Sequence, residues 1–394
     1  MSTAPNVSID MGAFHTDPYP MLARLRAESP IAFIPQLQST LLTRRDDIFV
    51  CEKNIDVFSS YQPQGLMNRL MGHNMMRKDG PAHQAERKVI FPTISPKTVQ
   101  SYWRQLFFEH ARRILEELRG HRPSGVHAVD LHDAFALPFS AECLKSITGL
   151  TNMRYQDMDA WSQAMIAGIA NYNGDAAIEA ACHLATAGID AAIDDMLPVI
   201  EQMPDPSLLR VMLQAGMDME SVRANIKLAI SGGQNEPRHV ILGSVWALLT
   251  HPEARAAVTC GALTYHQVFD EYVRWISPIG MSPRRVVANH TFGGVTFVPE
   301  DRVFLMFGSA NRDEVYFDGG DRFDPWRDAT KSVPFGAGPH FCAGAWVSRS
   351  MIADVALPEL FKALPDLAID QSKAVRISGW AFRGLQNLPV AWSR

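Results

Sequence analysis

Nowhere in this chain do two cysteines stand three residues apart. Its five cysteines, Cys51, Cys143, Cys182, Cys260 and Cys342, are scattered and odd in number, which argues against a disulfide framework and against a zinc cluster. A reducing, cytoplasmic compartment fits that usage. An excess of positive charge is also lacking: the net charge is -5 at pH 7, so no basic surplus points to nucleic acid as the main partner. No stretch approaches the ~20 consecutive apolar residues that a membrane span needs. The opening residues, MSTAPNVSIDMGAFHTDPYP, show no basic segment followed by an apolar one, the pattern of an export signal. The expectation is a soluble protein that engages neither membrane nor nucleic acid.

Apolar residues make up 47% of the 394, enough for a large core. Length alone allows two or three domains, yet nothing in the composition marks a boundary. Helical periodicity dominates, over residues 19–27, 99–118, 134–147, 158–196 with an interruption at 171–174, and 222–249. Short strand patterns at 31–33, 40–43, 286–298 and 303–307 point to a small β region. Residues 59–78 carry Met67, Met71, Met75 and Met76 with Leu66 and Leu70. That is a surface able to re-pack around apolar ligands, or an ordinary piece of core.

The stretch that organises the rest is FGAGPHFCAG, residues 335–344. It follows an extended segment and precedes a helical pattern, so Cys342 is expected just before a helix N-terminus, where the dipole and backbone N–H groups favour a thiolate. Gly336, Gly338 and Gly344 let the chain curl or pass close to a flat ligand. A haem iron with a cysteine ligand needs such a loop, because donors aimed at the sulfur tune its electron donation. A buried structural thiol fits the same residues.

Three further patterns bear on this. His83 and Arg87 lie four apart on one helical face, two donors for an anionic group or members of a solvated face with Glu86 and Lys88. The long helix 222–249 is broken by Ser-Gly-Gly-Gln-Asn-Glu-Pro, residues 231–237. Glycine and proline inside a helix cost on the order of 1 to 3 kcal/mol each, so the break reads as a functional kink or as the junction of two helices. Glu271 and Arg274 stand three apart among Val268, Tyr272, Trp275 and Ile276. A pair in apolar surroundings needs a third partner, and Arg327, in an irregular run before the cysteine loop, can supply it.

In this order and spacing the patterns are similar to those of the cytochromes P450, the haem-thiolate monooxygenases of the soluble bacterial type. FxxGxxxCxG is met by Phe335, Gly338, Cys342 and Gly344, ExxR by Glu271 and Arg274, and HxxxR by His83 and Arg87. The resemblance runs from about Asp17 to the end of the chain. It implies a mostly α fold: one helical, prism-shaped domain over residues 1–394 with a small β region, residues 1–16 being an N-terminal extension. It implies haem b between the kinked helix and the cysteine helix, with Cys342 as the axial ligand of the iron. His83, Arg87, Arg285 and His340 become donors to the haem propionates, and Glu271, Arg274 and Arg327 a structural network.

One element departs from the family. Most members place an acid and then a threonine in the kink to deliver protons to dioxygen; aligned from Gly232, this chain has Asn235 and Glu236 there. A register one residue earlier gives Gln234 and Asn235, but the distance to Glu271 favours the first. A carboxylate can take and return protons, so Glu236 is expected either to relay them to dioxygen or to deprotonate hydrogen peroxide. The run Asn235 to His239, with Gly379-Trp380-Ala381-Phe382-Arg383-Gly384, resembles the aromatic O-demethylases that act on guaiacol-type methoxyphenols. By that resemblance Phe382 touches a small, apolar, aromatic substrate. Trp161, Ile166, Ile169 and Tyr172 are further pocket candidates or plain helix packing. With no flavin or nicotinamide domain in the chain, electrons are expected from a separate iron-sulfur and flavin partner. Two rivals stay open: a peroxide-dependent enzyme without a redox partner, and a haem-binding sensor or carrier without catalysis.

Overall fold

The computed structural model describes residues 1–120, 127–171 and 174–393. Backbone contacts divide the chain into two units, each drawn from three segments. The first comprises Met1–Gln62, Leu242–Cys342 and Gln371–Leu388 and holds the larger sheet. Its strands run in the spatial order Ile31–Ile34, Ser39–Leu42, Arg302–Leu305, Ser282–Val286, Phe58–Ser59. Thr40 to Leu42 pair in parallel with Val303 to Leu305, and the other pairs are antiparallel. Ser39–Leu42 is buried throughout, as expected of a central strand covered on both faces. The strand pattern expected at 303–307 stops at Leu305, because Met306 caps a short helix, Phe307–Ala310. The opening residues belong to this unit. Asn6 bridges to Phe33, the Thr3 N–H donates to Thr296 O at 2.9 Å, and Ala4, Ile9 and Phe14 are buried.

The second unit, Pro63–Ile241, Ala343–Asp370 and Pro389–Arg394, is mostly helical. It contains Gly80–Ile94, Arg104–Gly120, Leu137–Thr148, Tyr155–Ile169, Ala176–Ile200 and Met219–Gly233. Residues expected to be uniformly helical at 99–118 begin with a wider π turn, Val99–Trp103. Ala176–Ile200 corrects the expectation that no segment is apolar enough for a membrane span, since it passes that test by length and composition. In the unit it buries one face: Ile189, Ile193 and Ile200 are fully buried, while Leu184 and Val199 are exposed. On its polar side Asp190 takes Lys227 at 2.7 Å, and Asp194 takes Arg223 at 2.5 Å.

The kink expected in 222–249 is present as a one-residue break at Gln234, between Met219–Gly233 and Asn235–Thr250. Pro237 has no N–H for the Gly233 carbonyl four residues back, and one residue on the Ser140 hydroxyl donates to the Gln234 carbonyl at 3.0 Å.

Candidate active site

Cys342 is singled out by its surroundings. Cys51, Cys143 and Cys182 are buried, and burial pushes their thiols up, so they stay protonated and inert. Cys260 is exposed but caps the C-terminus of Pro252–Thr259, the end of a helix that disfavours an anion. Cys342 is exposed on a tight loop whose closure is the Cys342 N–H donating to Phe335 O at 2.9 Å. Gly336 and Gly338 take φ of +70° and +65°, which L side chains avoid. Phe335 stacks on the buried Phe269 at 6.2 Å between centroids. Gly344 then caps the helix that begins at Ala345, as the sequence leads one to expect.

Behind the loop, Glu271 and Arg274 sit on Tyr265–Ile276, a helix opened by a reciprocal cap between Thr264 and Gln267. Arg274 grips Glu271 with two bonds, Nε to Oε2 at 2.6 Å and Nη2 to Oε1 at 2.7 Å. It also donates to the carbonyls of Asn311, Gly320 and Arg322. Arg327 reaches Glu271 at 3.6 Å, and the Asp324 N–H adds a bond at 2.8 Å. The three residues meet as expected, with Glu271 and Arg274 at 1% and 0% exposure. Removing one partner leaves an uncompensated buried charge, a loss of about 3–5 kcal/mol. Arg274→Leu is therefore expected to lower the urea midpoint steeply or to stop the protein accumulating, which denaturation followed by circular dichroism checks.

The neighbouring arginines on strand Ser282–Val286 separate by face. Arg285, the expected propionate donor, turns to Tyr61 O at 3.0 Å and Glu300 at 2.8 Å. Arg284 points the other way, is 3% exposed, and pairs with the buried Glu52. Successive strand residues alternate sides, and the register Arg284↔Val303 puts Arg284 inside. Arg285, the expected donor, is thus taken up by Tyr61 and Glu300, while the Nε of Arg284 is buried without a hydrogen-bond partner. A haem fits these residues: an exposed thiol on a glycine loop for its iron, and an unused buried N–H for a carboxylate. His340 is half-buried in the loop itself. In the second unit, His83 is buried and Arg87 half-buried on Gly80–Ile94, one turn apart as expected.

The broken helix sorts the three residues named for proton transfer. Gln234 Nε2 donates to Asp159 at 3.1 Å, and Arg238 donates to Asp159 at 2.5 Å and to Asn235 Oδ1 at 2.7 Å. Asn235 Nδ2 in turn donates to Ser162 Oγ at 3.2 Å. Gln234 Nε2 and Asn235 thus tie the break to Tyr155–Ile169, while Gln234 Oε1 is buried without a hydrogen-bond partner. Glu236 stays outside that network: its Oε2 is buried and has no hydrogen-bond partner. Desolvation raises its carboxyl to about 7, against the opposing pull of its own backbone N–H and of Arg238.

The expected substrate contacts divide as well. Trp161 is half-buried and packs against Gly188, where a Cβ would stand 2.5 Å from the indole. Ile169 is half-buried at the C-terminal end of its helix, Ile166 is half-buried on the same helix, and Tyr172 lies outside the described residues. Phe382 is half-buried on a loop pinned on every side. It bridges to Ile279, Trp380 packs on Phe14 at 5.4 Å, and Arg383 donates to Thr16 O at 3.0 Å and to Gly379 O at 2.8 Å.

Comparison with known proteins supplies the last step. Residues 263–361, which include Glu271, Arg274, Arg327 and Cys342, match the family model "Cytochrome P450". A vitamin D(3) 25-hydroxylase from Pseudonocardia autotrophica is 27% identical, over 96% of this chain and 94% of that protein. The cytochrome P450 monooxygenase PikC from Streptomyces venezuelae is 26% identical, over 100% and 96%. Among solved structures, P450BioI in complex with an acyl carrier protein superposes with a TM-score of 0.86 at 22% identity, covering 97% of this chain and all of that one. The Bacillus megaterium CYP109E1 does so with a TM-score of 0.84 at 20% identity, over 95% and 97%. Family model, relatives of matching length and fold converge on one likeness: the chain is similar over nearly its whole length to the cytochromes P450, haem b monooxygenases.

Proposed function

We propose that the chain, as one cytochrome P450 domain of the cytoplasm, oxygenates a small, apolar, aromatic substrate, and that a methoxyphenol is O-demethylated. The overall change is a C–H bond, dioxygen, two electrons and two protons giving an alcohol and water. On a methoxy carbon that alcohol is a hemiacetal, which releases formaldehyde and the phenol. Haem b, when bound, supplies dioxygen activation, and a separate iron-sulfur and flavin partner supplies the electrons. Cys342 would hold the iron; His83, Arg87, His340 and Arg284 would hold the propionates. Glu236 would carry protons, and Phe382 would bear on the substrate ring.

The observation that carries the substrate reading is the loop of Phe382, whose backbone is held by the Ile279 bridge and by Arg383. A phenyl group on such a loop offers a stacking surface for a second ring, worth about 0.5–1.5 kcal/mol beyond area burial. The relatives' names span a vitamin and branched lipids, so the reading rests on this chain's own residues. Titrating methoxylated and alkylated phenols into the haem-loaded protein, and following the Soret shift and formaldehyde release, tests it. A shift with guaiacol-type compounds and one formaldehyde per product is the expected result; binding of fatty acids or sterols in their place would remove it. The peroxide-dependent route is a second reading, favoured by the missing acid-alcohol pair in the break.

A further inference from the structure

The penultimate residue of helix Arg45–Lys53 lies against the cysteine loop. Glu52 is 1% exposed. Its Oε2 accepts the Ala337 N–H at 3.1 Å, and its Oε1 takes Arg284. The fit is close. A Cβ on Gly336 would stand 2.9 Å from Glu52 Oε2, and one on Gly338 would stand 2.8 Å from the Glu52 carbonyl oxygen.

A buried carboxylate is costly unless each oxygen is satisfied. Here one oxygen is spent on the backbone of the loop that carries Cys342, and the other on an arginine. That arginine is held from its own strand by Ser282 Oγ at 2.6 Å and Pro283 O at 2.9 Å, and its Nε remains buried and unused. Neither bond serves Glu52's own helix. We infer that Glu52 is a positioning residue for the cofactor: it fixes the cysteine loop through the Ala337 amide and orients Arg284 for a carboxylate of the haem. The inference rests on the haem-thiolate reading above and adds a residue that touches neither sulfur nor substrate.

The test compares haem-loaded wild type with Glu52→Gln, which keeps the shape and the acceptor for Ala337 but loses the charge that holds Arg284. Far-UV circular dichroism is expected to stay at wild type. Haem transfer to excess apomyoglobin is expected to speed up on the order of tenfold, the size of one charge-assisted hydrogen bond. The thiolate-type absorption of the carbonyl-bound ferrous protein should also decay faster on standing. Glu52→Asp keeps the charge but draws it back from Ala337, and is expected to lose haem at an intermediate rate. In the double variant Glu52→Gln/Arg284→Gln the losses should not add, because the two residues act as one unit. Wild-type haem loss in folded Glu52→Gln or Glu52→Asp, or full additivity in the double variant, overturns the inference. A wild type without any thiolate-type band overturns the reading of Cys342 instead, so the two failures are distinct.

Discussion

Cys342→Ser is expected to abolish turnover with either oxidant and to remove the thiolate-type absorption of the carbonyl-bound ferrous protein, while leaving the fold intact. The side chain is exposed, so the exchange opens no cavity. The loop closes through backbone, Cys342 N–H to Phe335 O, and that bond does not depend on the sulfur. What is lost is an anionic soft ligand: a serine hydroxyl stays protonated near neutral pH and cannot supply the electron push that assists O–O cleavage. Cys260→Ser, which changes the other exposed cysteine, should leave spectrum and turnover unchanged. Absorption spectra with far-UV circular dichroism on both variants decide the matter. A thiolate-type band that survives in Cys342→Ser, or vanishes in Cys260→Ser, would move the ligand elsewhere.

How much of this site was legible beforehand follows from how far apart its partners lie in the chain. Glu271 and Arg274 could be paired from spacing alone, since residues three apart on a helix are neighbours and their apolar flanks foretold burial. Gly232, Gly233 and Pro237 foretold a break because no regular helix accommodates them cheaply. Glu52 and Arg284 were invisible: 232 positions separate them, and nothing in helix Arg45–Lys53 marks Glu52 off from an ordinary surface acid. Arg284 and Arg285 could not be told apart either, because which one faces inward depends on strand register, and a slip of one residue exchanges them. Asp159, 79 residues from Arg238, escaped for the reason that hid Glu52.

Glu236→Gln is expected to lower reductase-driven kcat by about 10²–10⁴-fold, the usual contribution of one positioned proton carrier, with little change in substrate-induced spectral shifts. Gln234 and Asn235 carry amides, which do not titrate near neutral pH, so neither can take over the proton. Burial sets Glu236 near 7, where a carboxyl both accepts and returns protons at neutral pH. The wild-type kcat profile should therefore inflect near pH 7, and the Gln profile should be flat there. The same shift has a stability sign. The folded protein holds this proton between its ordinary value of 4.5 and about 7, where the unfolded chain has released it. Wild type should then lose stability relative to Glu236→Gln as pH rises through that window. The gap grows to about 3 kcal/mol above pH 7, and denaturation of the haem-free proteins at pH 4.5 and 8 measures it. Hydrogen peroxide separates the two oxidant readings: turnover with peroxide alone that disappears in Glu236→Gln makes the carboxylate a base toward peroxide. Turnover that requires the reductase assigns it to proton delivery during dioxygen activation. A Gln variant with wild-type kcat and an unchanged inflection would take Glu236 out of the chemistry altogether.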